Sequence, residues 1–93
     1  MDEAPTRLVA NPRVIVQTTA DGAVLLEMSS GDCFELNQMA AAMWTRLTGG
    51  ETLPEVVAAI AARFGVNTAT VEADARALIV DLVRRGLAMS TPR

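Results

Sequence analysis

The hydrophobic pattern changes its period once along the chain, and this change limits the fold more than any other feature. Residues 13–36 alternate between apolar and polar or form short β-branched runs, which is typical of strands. From residue 38 to residue 85 the apolar positions recur about every 3.6 residues, which is typical of amphipathic helices. A chain of 93 residues has room for one modest core. The order of strand-like and helix-like segments therefore predicts a single α+β domain, with strands first and helices after them.

Turn signals divide the first part into three strands. A β-branched run predicts a strand over 13–19, and Asp21-Gly22 is a strong hairpin turn. A second strand is expected over 23–28, and the turn that follows leads to a short third strand over 33–36. Together these segments predict a three-stranded antiparallel sheet.

Capping signals divide the second part into three helices. Asn37 is a good N-cap for the first helix, and Thr52 and Glu55 have the spacing of a capping box for the second. The third helix is expected over Thr68–Arg85, with Gly86 directly after it. Three helices joined to a small antiparallel sheet predict a winged-helix-like arrangement.

The ends of the chain show no clear period. The first segment carries two prolines, so we expect a flexible lead-in over 1–12, a folded domain over 13–89 and a tail over 90–93. The acidic start lacks the apolar stretch of a signal peptide, and no apolar run is long enough to span a bilayer. The single cysteine, Cys33, fits a reducing compartment. We therefore expect a cytoplasmic protein with no membrane partner.

The composition leaves few groups for catalysis or metal binding. The sequence has no His, Lys or Tyr, so Cys33 has no base to activate it. Transition-metal sites usually draw on His and Cys, and Gly49-Gly50 lacks the spacing and the lysine of a phosphate loop. We expect no enzymatic activity, no cofactor and no metal site.

The charge disfavours nucleic acid as a partner. The formal net charge is −3, whereas binding to phosphates usually needs a basic surface. The third helix carries Glu72, Asp74 and Asp81, which phosphates would repel. We expect no nucleic-acid partner, and a winged-helix regulator that binds DNA or protein stays the alternative.

The third strand is the candidate binding element. If it lies at the sheet edge, its outward main-chain groups are unpaired, and such an edge must be protected or used. An extended peptide can use it by adding a strand, with about 0.5–1.5 kcal/mol net from each backbone hydrogen bond. The broad apolar surface of the third helix can supply pockets for the peptide side chains.

The same segments resemble the PqqD-like family. The resemblance extends over about residues 11–89 and rests on the order and spacing of several short motifs. The motifs are Asp21-Gly22-Ala23-Val24-Leu25-Leu26, Gly31-Asp32-Cys33-Phe34-Glu35-Leu36-Asn37, Met43-Trp44, Gly50-Glu51-Thr52 with Val56, Asp74, and Leu82 with Gly86-Leu87.

The resemblance implies a RiPP recognition element, a non-catalytic domain that binds the leader of a ribosomally made precursor peptide. In this family the leader adds a strand to the third strand, in a groove shared with the third helix. The chain looks most like the stand-alone leader-binding subunits of lasso-peptide biosynthesis. Relatives in pyrroloquinoline quinone synthesis usually carry a Pro-Glu-Gly-like turn, where this chain has Ser29-Ser30-Gly31.

The resemblance also implies partners. The leader-binding subunit hands the precursor to a separate cysteine-type leader peptidase and a cyclase. We expect a monomer, with dimerisation through the exposed sheet edge left open.

Strand and helix residues together form the predicted peptide-binding site. Phe34 and Leu36 share one face of the third strand, where core packing is expected, and Cys33 and Glu35 share the other, where they can face a peptide. The complete predicted set is Asp32, Cys33, Phe34, Glu35, Leu36, Val71, Asp74, Ala75, Leu78 and Leu82.

On the third helix, Asp74 is the preferred polar contact to the leader, although it could equally brace a neighbouring turn. Leu78 and Leu82 are expected to be core at one edge and groove wall at the other. A charged residue in place of Leu78 is expected to abolish peptide binding without unfolding the domain.

Overall fold

The computed structural model describes residues 7–91, which form five strands and three helices. In chain order these are β1 (Arg7–Ala10), β2 (Val14–Thr19), β3 (Gly22–Glu27), β4 (Cys33–Asn37), α1 (Gln38–Thr48), α2 (Leu53–Phe64), α3 (Thr68–Arg84) and β5 (Ala88–Thr91). The predicted α+β order of a three-stranded sheet followed by three helices is confirmed, and each predicted strand lies within one residue of its observed bounds.

The three-stranded sheet has the order β2-β3-β4, and both pairs are antiparallel. Its register places Val16, Leu25 and Phe34 directly opposite one another on the face that packs against the helices. The next row, Ile15, Leu26 and Cys33, points to the other face because side chains alternate along a strand. Only β3 has a neighbour on both sides.

The core fills the space between the inner face of this sheet and the three helices. Its fully buried members come from the sheet and from every helix, which explains how a chain with few aromatic residues closes one core. The largest of them are Leu25, Met43, Leu47, Ile60, Leu82, Val56 and Val71. The single Trp, Trp44, is buried with them.

A second, two-stranded sheet corrects the predicted domain bounds. β1 lies in the segment expected to be a flexible lead-in, and β5 extends into the expected tail. The two strands pair antiparallel, with Leu8 opposite Ser90, and Leu8 is buried in the core. Strands of four residues are too short to show a period, and their partners lie at opposite ends of the sequence. Residues 1–6 and 92–93 of the predicted lead-in and tail lie outside the described residues.

The predicted caps are present. The Asn37 side chain accepts a hydrogen bond from Ala40 N–H (2.8 Å), and Thr52 N–H donates to Glu55 (2.7 Å). After α3, Gly86 adopts a φ of +75°, and Leu87 N–H donates to the Leu82 carbonyl oxygen (2.9 Å). This tight turn ends α3 and sends the chain back along β5.

We expect Gly22→Ala to lower the free energy of unfolding by about 3 kcal/mol or more. Gly22 has a φ of +149°, and a Cβ there would overlap the main chain of Leu36 and Asn37. Gly65→Ala is the control, because Gly65 also has a positive φ (+67°) but a Cβ there meets nothing within 4 Å. The control substitution should lower the free energy of unfolding by only about 1–2 kcal/mol. Urea unfolding measures both, and equal losses would contradict the close approach of β3 and β4.

Candidate functional site

β4 is an edge of the three-stranded sheet, since β3 is its only partner within residues 7–91. Glu27 N–H donates to the Asp32 carbonyl oxygen (2.9 Å), so these two residues form a hydrogen-bonded pair. Such pairs alternate along an antiparallel ladder. Phe34 therefore bonds to β3, whereas Cys33 and Glu35 direct their main-chain N–H and C=O groups away from the sheet. The edge offers two donors and two acceptors to an added strand.

The side chains of β4 divide as the alternation requires. Leu36 is buried and Phe34 half-buried on the helix side, and Cys33 and Glu35 are exposed on the other. Asp32, just before the strand, is exposed, and its N–H donates to Ser30 Oγ (3.2 Å). Asp32 thus belongs to the turn that leads into the edge.

The end of α3 borders this edge. The Arg85 guanidinium carbon lies 4.8 Å from the centre of the Phe34 ring, a cation–π contact between the end of α3 and β4. Residues 74, 78, 81 and 85 follow at intervals of four, three and four, and so share one side of the helix. A strand added to β4 at the usual spacing of about 4.8 Å would lie beside the Arg85 end of this line. We call the space between β4 and this line the edge groove.

The predicted helix residues fall into two groups. Asp74 is exposed, so it is open to a ligand. Val71, Ala75 and Leu82 are 0% exposed, so they support the helix wall from within the core and present no surface to a peptide. Sequence spacing could not separate these groups, because both lie within one broad apolar arc.

Leu78 lies mainly in the core. It is 9% exposed and belongs to the core cluster, so a charge there would lose its hydration. The expectation that a charged residue at this position leaves the fold intact therefore does not hold. A test of the groove needs substitutions at exposed positions.

The outer side of α3 does not favour DNA. Glu72, Asp74 and Asp81 are all exposed, and Glu72 is paired with Arg76 at 3.0 Å. A groove-reading helix would bring these carboxylates to the phosphates.

Two residues that sequence reasoning missed connect the two segments that flank one end of the edge groove. Glu27 is 9% exposed, and its carboxylate accepts hydrogen bonds from Ser30 N–H (2.8 Å) and from Asn11 Nδ2 (3.2 Å). The same Asn11 nitrogen donates to the Gly86 carbonyl oxygen (2.9 Å). The sequence did contain a signal for the role of Glu27, because this residue follows Ala23 and Leu25 at inward positions of β3. A carboxylate at such a position needs hydrogen-bond partners.

The hydrogen bonds that the Glu27 carboxylate accepts lower the pKa of this group from its ordinary value of 4.5, with the largest contribution from Ser30 N–H. They favour the ionised form because each of them donates to the carboxylate. Near neutral pH, Glu27 is therefore a charged acceptor, and its hydrogen bonds are stronger than those between neutral groups.

An open cleft of about 580 Å³ lies elsewhere, between α1 and the β2–β3 hairpin. Val16, Ala42 and Trp44 are among its lining residues, and its charged lining includes the ion pair of Arg46 and Glu51 (2.8 Å). None of its lining residues belongs to β4 or α3, so it is separate from the sheet edge where a peptide could add a strand. We therefore take the edge groove as the candidate site.

Within residues 7–91, no three His, Cys, Asp or Glu side chains come together as a metal site would need. No helix in this part of the chain has the length and apolar character needed to cross a bilayer.

Comparisons with known proteins identify the family of the chain. The family model described as coenzyme PQQ synthesis protein D (PqqD) matches residues 22–88. The solved structure of TbiB1 in complex with the TbiA(beta) leader peptide is 30% identical, with a TM-score of 0.77 over 86% of this chain and 93% of that chain. Lasso peptide synthetase B1 complexed with the leader peptide is 32% identical, with a TM-score of 0.79 over 92% and 99%. No curated protein matches the chain.

The lowered pKa of Glu27 makes a testable contribution to stability. A carboxylate whose folded pKa is depressed stabilises the fold above its unfolded pKa, and this contribution is lost as the pH falls through the folded pKa. We expect Glu27→Gln to lower the free energy of unfolding at neutral pH, and the difference from the wild type to shrink below pH 4.5. Urea unfolding from neutral pH to about pH 3 measures it. A difference that stays constant into acid would contradict the hydrogen-bonded carboxylate.

Proposed function

Since the chain belongs to the PqqD family, we propose that it is a RiPP recognition element that binds the leader of a precursor peptide at the edge groove. The observation that carries this proposal is the edge of β4, which has no further partner within residues 7–91 and at which Arg85, at the end of α3, covers the Phe34 ring. Two similar proteins, each 30% or more identical over most of the chain, were solved with leader peptides. Their lasso-peptide context supports a lasso precursor here.

Backbone pairing alone gives weak binding. Four hydrogen bonds to Cys33 and Glu35 contribute about 2–6 kcal/mol net before the entropy lost on association. A dissociation constant of about 1 mM already corresponds to about 4 kcal/mol. The peptide side chains must therefore add contacts, and on the inward side the available partners are Phe34 and the exposed residues of α3.

The walls of the groove suggest which side chains fit. The half-buried ring of Phe34 and the edge of Leu78 offer apolar contact, and Asp74, Asp81 and Arg85 place charges of both signs along the helix line. A leader with alternating apolar anchors and polar residues matches this surface, because side chains of an added strand alternate between two faces.

We further propose that the domain is non-catalytic, acts in the cytoplasm and presents the leader to separate enzymes. The absence of His, Lys and Tyr from the sequence supports a binding role. A cysteine-type leader peptidase and a cyclase would then carry out the chemistry on the core of the precursor.

Fluorescence anisotropy tests the function directly. The probe is the labelled leader of the precursor peptide encoded beside this gene, titrated with the protein, and a scrambled leader is the control. Saturable binding of the leader alone supports the proposal. No saturation with protein that circular dichroism shows to be folded would reject it.

We expect Glu35→Pro to weaken leader binding at least about tenfold, because proline removes an outward N–H and its ring blocks the incoming strand. Pro is tolerated on an edge strand when the lost N–H faces outward, so β3–β4 pairing should survive. Glu35→Ala separates the loss of charge from the loss of the donor, and should bind nearly as the wild type does.

The opposite edge of the sheet offers a matched control. Met28 N–H donates to the Arg13 carbonyl oxygen (2.9 Å), so by the same alternation Thr18 directs its main-chain groups away from β3. Thr18→Pro therefore makes the same change at β2 and should leave leader affinity unchanged. An equal loss in both proline variants would contradict the placement of the leader at β4.

A further inference from the structure

We infer that Glu27 and Asn11 form a positioning pair that fixes the two walls of the edge groove relative to each other. The inference rests on the proposed function, because it concerns the site where the leader would bind. Neither residue lies in the groove, so both would act through the segments that they hold.

Glu27 holds the β4 side. Its Oε1 accepts from both the N–H (2.8 Å) and the Oγ (3.3 Å) of Ser30, within the turn between β3 and β4. Ser30 Oγ in turn accepts from Asp32 N–H (3.2 Å), the residue just before β4. This chain of contacts sets where the edge strand begins.

Asn11 holds the α3 side. Its Nδ2 carries two hydrogens, one donated to Glu27 Oε2 (3.2 Å) and the other to the Gly86 carbonyl oxygen (2.9 Å). Its main-chain N–H donates to the Leu87 carbonyl oxygen (3.0 Å). Gly86 directly follows Arg85, whose guanidinium covers the Phe34 ring of β4.

The two residues therefore link the segments that flank the groove at one end. Within residues 7–91, the Asn11 bond to Gly86 is the one side-chain hydrogen bond that ties the end of α3 to the strand region. The turn on the other side is exposed and contains Gly31 at a φ of +79°. Without the pair, these segments would keep only their other contacts, such as the main-chain bond from Asn11 N–H to the Leu87 carbonyl oxygen. More of their order would then have to form when the leader binds, and this ordering would lower affinity.

Two substitutions test the pair in different ways. Glu27→Gln leaves one acceptor oxygen in place of two, so it breaks the bond to Ser30 N–H or the bond to Asn11. Asn11→Asp keeps the acceptor for Arg13 N–H (2.9 Å) but loses the donor to Gly86 and sets a carboxylate against Glu27. Glu55→Gln is the matched control, since Glu55 also accepts a main-chain N–H, at the start of α2.

The first readout is hydrogen exchange in the free protein. Both variants should exchange faster than the wild type at the amides of Ser30, Asp32, Gly86 and Leu87, with α2 unchanged. Glu55→Gln should change exchange only at the start of α2.

The second readout is the anisotropy titration with the same labelled leader, at a temperature where circular dichroism shows every variant folded. Glu27→Gln and Asn11→Asp should each weaken binding about tenfold, and the double variant should lose less than the product of the two because they break one network. Glu55→Gln should bind as the wild type does.

The outcomes distinguish failure of the positioning role from failure of the proposed function. Wild-type binding that both variants retain in full would overturn the positioning role and leave leader binding standing. A loss in Glu55→Gln equal to that in Glu27→Gln would also overturn it, since general stability would then explain both. Failure of the folded wild type to bind would reject the proposed function, and the positioning role with it.

Discussion

The structure depends on the pairing of β3 with a neighbour on each side. In a three-stranded sheet only the middle strand satisfies its main-chain groups fully, so β3 is the strand on which the helices can build a core. The inward residues of β3, Ala23 and Leu25, are buried accordingly. Gly22, the first residue of β3, lacks a Cβ and can therefore approach the main chain at the end of β4. Within residues 7–91 the consequence is two sheet edges without a further strand, and the function depends on which helix lies beside each edge.

Most of this architecture was predictable because its signals are local. The change of period, the Asp21-Gly22 turn, the Asn37 cap and the capping box at Thr52 each act within a few residues. The β1–β5 ribbon was not predictable, since its two short strands meet only after the chain has folded. Local sequence carries little information about such a contact.

The site was predictable in part for a related reason. Alternation along β4 separated Cys33 and Glu35 from Leu36, because a strand has two faces and the sheet buries one of them. On α3, periodicity marked a broad apolar arc but not its borders, so Val71 and Ala75 were grouped with residues at the surface. Glu27 and Asn11 escaped notice because their role arises from contacts between distant segments.

The two edges of the sheet show why a helix wall matters. β2 and β4 both direct main-chain groups outward, and backbone pairing is the same at either edge. Beside β2 lies an open cleft against α1, whose lining includes Ala41, Ala42 and the Arg46–Glu51 ion pair, and beside β4 lies the end of α3 with the Arg85–Phe34 contact. Because a short backbone ladder supports only weak binding, each edge can discriminate among peptides only through the side chains of the wall beside it. For a leader bound at β4, selectivity therefore has to come from the position of α3 relative to β4. These two segments are distant in sequence, so they can provide this selectivity only if the fold holds them together before the peptide binds.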